Sequence, residues 1–196
     1  FREIEVGFPA SSETEYEILR ALIERGLILP GVTIQVLVQA REHLIRRTFE
    51  AIRGAKDVII HFYNSTSTLQ RKVVFHTDMQ GVIDIAVEGA KLIRSLTEEL
   101  REAEPGMRVR YEYSPESFSG TEVENAVLIC DRVLEELGAT PENQAIINLP
   151  NTVEMCTPNT YADQVEYVCR NLRHRDSAII SLHPHNDRGT AVAATE

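Results

Sequence analysis

The stretch DVIIHFYNSTS, residues 57–67, decides the fold. Its first half is apolar without alternation, which is how a strand reads when helices cover both faces of a parallel sheet. Its second half turns to imidazole, phenol, amide and hydroxyl groups. Such a strand delivers polar side chains at its carboxyl end. His61 and Tyr63 are two residues apart and therefore point to the same side of it.

Working outward, five further strand-like runs appear at 3–8 (EIEVGF), 33–39 (TIQVLVQ), 108–114 (RVRYEYS), 145–150 (AIINLP) and 177–183 (SAIISLH). Between them apolar residues recur at three- and four-residue spacing, as in SETEYEILRALIERG, where Tyr16, Leu19, Leu22 and Ile23 share one face. Further helices are predicted from REHLIRRTFEAIRG, from the segment 78–103, from TEVENAVLICDRVLEELG and from TYADQVEYVCRNLRHR. Gly26, Gly54 and Gly138 supply helix ends, Pro158 suits a first turn, and Ser12 with Glu15 and Ser119 with Glu122 have capping-box spacing.

Strand–helix alternation predicts an α/β chain with parallel strands and crossover helices. A doubly wound sheet would usually carry a glycine-rich phosphate loop after an early strand. Here the strands end in GFP, NSTS, SPES, LPNT and HPHND, so polar groups follow several different strands. That distribution fits a (β/α)8 TIM barrel, whose site is assembled from many strand ends at one mouth. Six strands are two too few, and a closed barrel takes roughly 250 residues. The expected fold is thus a partial TIM barrel holding about strands 2 to 7. Residues 1–196 are expected to be an internal part of one catalytic barrel domain, with no second domain. An unclosed parallel sheet has unpaired edges, so this piece is expected to need another chain or a rearranged terminus to cover them.

A formal net charge of −10 opposes a nucleic-acid or anionic-membrane partner, because phosphate binding needs clustered Lys and Arg. No apolar run approaches the roughly 18 residues of a membrane span, and no basic-then-apolar leader is present. A soluble, cytoplasmic protein is expected. Cys130, Cys156 and Cys169 form an odd set without C-x-x-C spacing and read as buried thiols of a reducing compartment.

His183 and His185 share one side of the last strand and can present both imidazoles to one point, which is metal-ligand geometry. Ser114 and Glu116, and Asn148, Pro150 and Thr152, repeat the same phase on the two preceding strands. Each alone has a structural reading: Tyr63 as a core edge, Ser114 and Thr152 as turn formers, Asn148 as a backbone clamp. Their coincidence at the proper strand ends predicts a pocket that polarises a carbonyl compound, with a divalent metal as Lewis acid and Glu116 as proton acceptor. Two imidazoles leave such an ion short of a carboxylate. Asp187 is expected to cap the helix beginning near Gly189, so the acid is expected from a strand outside the chain.

The blocks HFYNSTS, LQR, YSPESFSGTE, NLPNTVEMCTPN and SLHPHNDRGTAVAATE resemble the catalytic barrel of the α-isopropylmalate synthase family over essentially the whole chain. That family is similar to homocitrate and citramalate synthases and to hydroxymethylglutaryl-CoA lyases. The resemblance implies a Claisen-type condensation of acetyl-CoA with 2-oxoisovalerate, giving 2-isopropylmalate and free CoA at the entry to leucine biosynthesis. It implies that His183 and His185 ligate a divalent metal ion (Zn, Mn or Mg). It places His61, Tyr63, Ser114, Asn148, Pro150 and Thr152 around the keto acid, Leu37 against its branched tail, and Glu116 in proton transfer at the acetyl methyl. It also implies a homodimer for the full-length parent. The family's Asp-Arg-Glu segment, its last barrel loop and its later domains have no counterpart in the sequence, so the polypeptide alone is expected to be inactive. Related synthases with another keto acid, or a noncatalytic structural piece, are the alternatives.

Overall fold

The computed structural model describes residues 1–196. In chain order the elements are β1 (Glu3–Glu5), α1 (Glu13–Glu24), β2 (Thr33–Gln39), α2 (Glu42–Ala51), β3 (Asp57–Ser65), α3 (Thr68–Gln70), α4 (Met79–Ala103), β4 (Arg108–Glu116), α5 (Val123–Leu137), β5 (Ala145–Asn151), α6 (Pro158–Asn171), β6 (Ala178–Pro184) and α7 (Ala191–Thr195). The six strands form one sheet in the order β1-β2-β3-β4-β5-β6. Pairing is parallel where β1 meets β2, with Glu3 opposite Thr33, and where β5 meets β6, with Ala145 opposite Ala178. A doubly wound sheet reverses its strand order at a switch point, whereas a β/α barrel adds each strand beside the last. The fold is α/β, a partial TIM barrel.

The chain divides into two compact units, Phe1–Phe62 with Glu88–Glu112 and Tyr63–Val87 with Tyr113–Glu196. In the first unit β2 alternates strictly. Ile34, Val36 and Val38 are buried, while Thr33, Gln35, Leu37 and Gln39 are half-buried on the opposite face. The buried residues join Ile45, Phe49, Ile52, Val58 and Ile60 in a core of branched aliphatic side chains and one phenyl ring. Each stabilises the unit by roughly 1.5–3 kcal/mol on leaving water. The strand β1 is shorter than its apolar run because Gly7, at φ +123°, bends the backbone. The ladder nevertheless continues, with the Val6 N–H donating to Gln35 O and the Leu37 N–H to Gly7 O, each at 2.9 Å.

In the second unit β5 is buried along its whole length, and α5 packs against both β5 and α6. Cys130 is buried there, Cys156 and Cys169 are half-buried, and all three are free thiols. Asp131 on α5 is buried and accepts from the Arg173 and His174 backbone N–H groups at 3.0 and 3.2 Å, fixing the turn that enters β6. Ser12 caps α1 as its spacing predicts, accepting from the Glu15 N–H at 3.2 Å. The second predicted box is not formed. Glu122 is itself the residue before α5, and Arg71 and Asn125 donate to its carboxylate instead. Residues 68–75, between the strand and the long helix predicted on either side, make α3 and one π-type turn that ends at His76 with φ +51°.

Candidate active site at the strand ends

In the second unit, the carboxyl ends of β4, β5 and β6 put three of the predicted groups in one row. Asn148, buried on β5, donates from Nδ2 to Ser114 Oγ of β4 at 2.7 Å, and the same nitrogen lies 3.4 Å from His183 Nδ1 of β6. An amide has two N–H groups and can serve both neighbours at once. Pro150, buried two residues on, stands opposite His183 in the parallel register. Thr152 follows β5, and its hydroxyl accepts from the Ser117 N–H at 3.2 Å. The Tyr161 hydroxyl donates to Leu149 O at 2.5 Å and accepts from the His183 N–H at 3.4 Å, so it ties β5 to β6 directly beneath the imidazole. Burial pushes the Tyr161 phenol up to about 12, with the His183 N–H acting against it, which keeps the hydroxyl protonated and able to donate.

Glu116 ends β4 half-buried, and the Ser65 hydroxyl of β3 donates to its carboxylate. Its carbonyl accepts from the Thr66 N–H at 3.0 Å and the Thr66 hydroxyl at 3.1 Å. Side chain and backbone of the predicted proton acceptor are therefore held by the last residue of β3 and the first residue after it. Tyr63, on the same strand, is half-buried.

The two histidines of β6 stand with ring centroids 5.1 Å apart and planes inclined by 43°. A ring nitrogen binds a divalent ion at ~2.0–2.1 Å, so two rings on one tetrahedral ion have centres roughly 5 Å apart. The pair fits a common ion as two of its ligands. No cluster of three His, Cys, Asp or Glu side chains in the chain is arranged to hold one. Asp187 does not cap the helix that follows. Asn186 takes that role, its Oδ1 accepting from the Ala191 N–H at 3.2 Å, while Asp187 Oδ2 lies 3.8 Å from His185 Nδ1. The helix begins later than the spacing predicts, at Ala191 with Thr190 at its N-cap position, so Asp187 stands three residues before the cap and lies beside the imidazole instead.

In the first unit, Leu37 lies half-buried on the face of β2 that also carries Gln35. His61 is buried among polar groups that the sequence reading did not single out. Its Nδ1 is 3.0 Å from Glu5 Oε2 and 3.3 Å from Gln35 Nε2, and its Nε2 is 3.5 Å from Glu112 Oε1. The signal was present, since Glu112 sits two residues before Ser114 and Gln35 two before Leu37, in the same phase. Ser65 likewise continues the phase of His61 and Tyr63.

Burial pushes the Glu112 carboxyl up; His61 opposes this, Glu5 and Glu3 add to it, and Arg110 opposes it again. A carboxyl with a raised folded value holds its proton longer in the native state than in the unfolded chain. Its contribution to stability therefore falls as pH climbs from the ordinary carboxylate range through the raised value. Glu112→Gln removes that slope. Urea unfolding of the full-length protein between about pH 4 and about pH 8 should show the variant gaining on wild type as pH rises. A difference that stays constant over the range would refute the assignment.

A 2-isopropylmalate synthase from Clavibacter michiganensis is 61% identical over all 196 residues, which amount to 33% of that protein. A 2-isopropylmalate synthase from Corynebacterium glutamicum is 59% identical, again over the whole chain and 31% of its own length. The chain spans about a third of the length of the curated relatives it matches. Among solved structures, the HMG-CoA lyase of Bacillus subtilis superposes with a TM-score of 0.61 at 18% identity, covering the whole chain and 60% of the lyase, a likeness of fold. The HMGL-like family model matches residues 1–196, and the chain belongs to the HMGL-like family.

Proposed function

We propose that the chain is an internal part of the catalytic barrel of a longer enzyme that condenses acetyl-CoA with 2-oxoisovalerate to 2-isopropylmalate. The observation that carries this reading is the Ser114–Asn148–His183 row, in which hydroxyl, amide and imidazole groups from three adjacent strands converge at their carboxyl ends. The names of the relatives support it. His183 and His185 would hold a divalent ion, Zn, Mn or Mg, which when bound polarises a keto-acid carbonyl as a Lewis acid.

The residues of the chain do the rest. Ser114, Asn148 and Thr152 offer hydrogen bonds to a bound carboxylate and carbonyl, and Pro150 gives a rigid apolar wall. His61 and Tyr63 extend the lining from β3, and Leu37 meets the branched tail. Glu116 takes a proton from the acetyl methyl, the resulting carbanion forms the new C–C bond to the keto carbon as the keto oxygen takes up a proton to become the hydroxyl, and water then cleaves the thioester to a carboxylate and free CoA. Ser65 holds the Glu116 carboxylate in one orientation for the first of these steps. The same reading makes the full-length protein a cytoplasmic homodimer without nucleic-acid or membrane partners. No helix of the chain is long and apolar enough to cross a membrane.

Homocitrate and citramalate synthases differ in the keto acid. One methylene in an apolar pocket discriminates by only about 1–3 kcal/mol, so the comparison has to be made on the protein. With acetyl-CoA and each of 2-oxoisovalerate, pyruvate and 2-oxoglutarate, CoA release by the full-length protein should give the largest kcat/KM for 2-oxoisovalerate. A preference for either of the others would replace the proposed substrate.

A further inference from the structure

We infer that Glu154 is a positioning residue for the His183–His185 pair, acting through the loop that follows it; this rests on the metal-site reading above. Glu154 belongs to the turn leaving β5 and is only 1% exposed, a burial that a carboxylate tolerates only when its oxygens are satisfied. Three hydrogen bonds reach its carboxylate, all from residues 188–190. The Arg188 N–H donates to Oε2, and the Thr190 N–H, at 3.1 Å, and the Thr190 hydroxyl donate to Oε1. The Arg188 guanidinium also reaches Glu154 O at 3.4 Å. Carboxylates that accept two or three such bonds hold a loop far more firmly than neutral acceptors do.

The backbone of the turn shows what this arrangement costs. Val153 and Glu154 both have positive φ, 62° and 43°, a region that side-chain-bearing residues adopt at a cost of about 1–3 kcal/mol each. Two consecutive strained residues persist only when their surroundings fix them. The strain aims Val153 N–H at His185 Nδ1, 3.5 Å away, and turns the Glu154 carboxylate under the loop after His185. The His185 N–H in turn faces Asn151 O at 3.4 Å. His185 is therefore bracketed, with the strained turn on one side and a loop clamped by the same turn on the other. Nothing in β6 itself supplies that restraint, since the strand ends at Pro184.

Glycine suits positive φ, so Glu154→Gly keeps the turn and removes only the clamp. The test is calorimetric titration of Zn2+ or Mn2+ into the metal-free full-length protein. Glu154→Gly should weaken binding by about 10–100-fold, the range for partners that orient metal ligands. Glu154→Gln, which keeps one acceptor oxygen, should fall between it and wild type. With Co2+ in place of the native ion, the visible absorption of Glu154→Gly should shift, which a loss of stability alone does not produce. Asp131→Asn is the control: it loosens a carboxylate-to-backbone clamp at the start of β6 and should leave the affinity within about twofold of wild type. Should Glu154→Gly and Glu154→Gln both bind the ion like wild type while His183→Ala does not, the positioning role is refuted and the metal site stands. Should His183→Ala also bind like wild type, both fall. If the glycine variant does not fold, the glutamine variant alone decides.

Discussion

Alanine at His183 or at His185 should lower the divalent-ion affinity of the full-length protein by more than about 100-fold, beyond what loss of an orienting partner causes, and turnover should fall with it. The expectation follows from geometry. Two rings 5.1 Å apart can reach one common point, and removing either leaves the ion one imidazole short. Stability is the control. His183 is exposed and His185 half-buried, so neither side chain anchors the core, and substitutions at such sites stay within about 0.5 kcal/mol. The His183 N–H, which faces the Tyr161 hydroxyl, survives in the alanine variant. Titration calorimetry beside thermal unfolding reads both quantities. Unchanged ion binding in both variants would remove the metal from the site and leave the Ser114–Asn148 pair as a plain polar brace between β4 and β5.

The asymmetry between what could and could not be read in the sequence has a physical origin. Strand phase is strictly two-residue, so one anchor on each strand locates the others. His61 implies Tyr63 and Ser65, Ser114 implies Glu112 and Glu116, and Asn148 implies Pro150. That is why the row at the strand ends was legible before any coordinates, and why Ser65 and Glu112 could have been found by extending the same rule. The fold was legible for a related reason, since apolar runs broken by helical periodicity leave few topologies once connections must be right-handed.

Glu154 was not legible, because its role depends on positive φ at Val153 and Glu154, and nothing in NTVEM announces a left-handed turn in residues that ordinarily avoid one. The capping of α7 failed for a similar reason. Spacing places the helix start near Gly189, whereas it begins at Ala191 with Thr190 at its N-cap position, so Asp187 stands outside the first turn while Asn186 Oδ1 accepts from the Ala191 N–H. Sequence spacing thus describes residues on regular elements well and residues on tertiary-fixed turns poorly.

Glu116→Gln separates proton transfer from binding. Glutamine has nearly the same shape and keeps a carbonyl oxygen to accept from Ser65, so the loop after β3 and its bonds to the Glu116 backbone remain. What disappears is the proposed base. A positioned general base contributes about 10²–10⁴-fold to rate, so kcat should fall by that range while the KM for the keto acid changes little. A merely structural Glu116 would give the opposite pattern, with KM and stability disturbed together and kcat following only through misplacement. Ser65→Ala tests the orienting hydroxyl separately and should cost less, because the carboxylate stays and only its alignment loosens. The decisive readout is exchange of the acetyl-CoA methyl protons with D2O in the presence of a nonreactive keto-acid analogue. Wild type should exchange them and Glu116→Gln should not; equal exchange in both would move the base to another residue of the full-length protein and leave Glu116 as the acceptor for Ser65 alone.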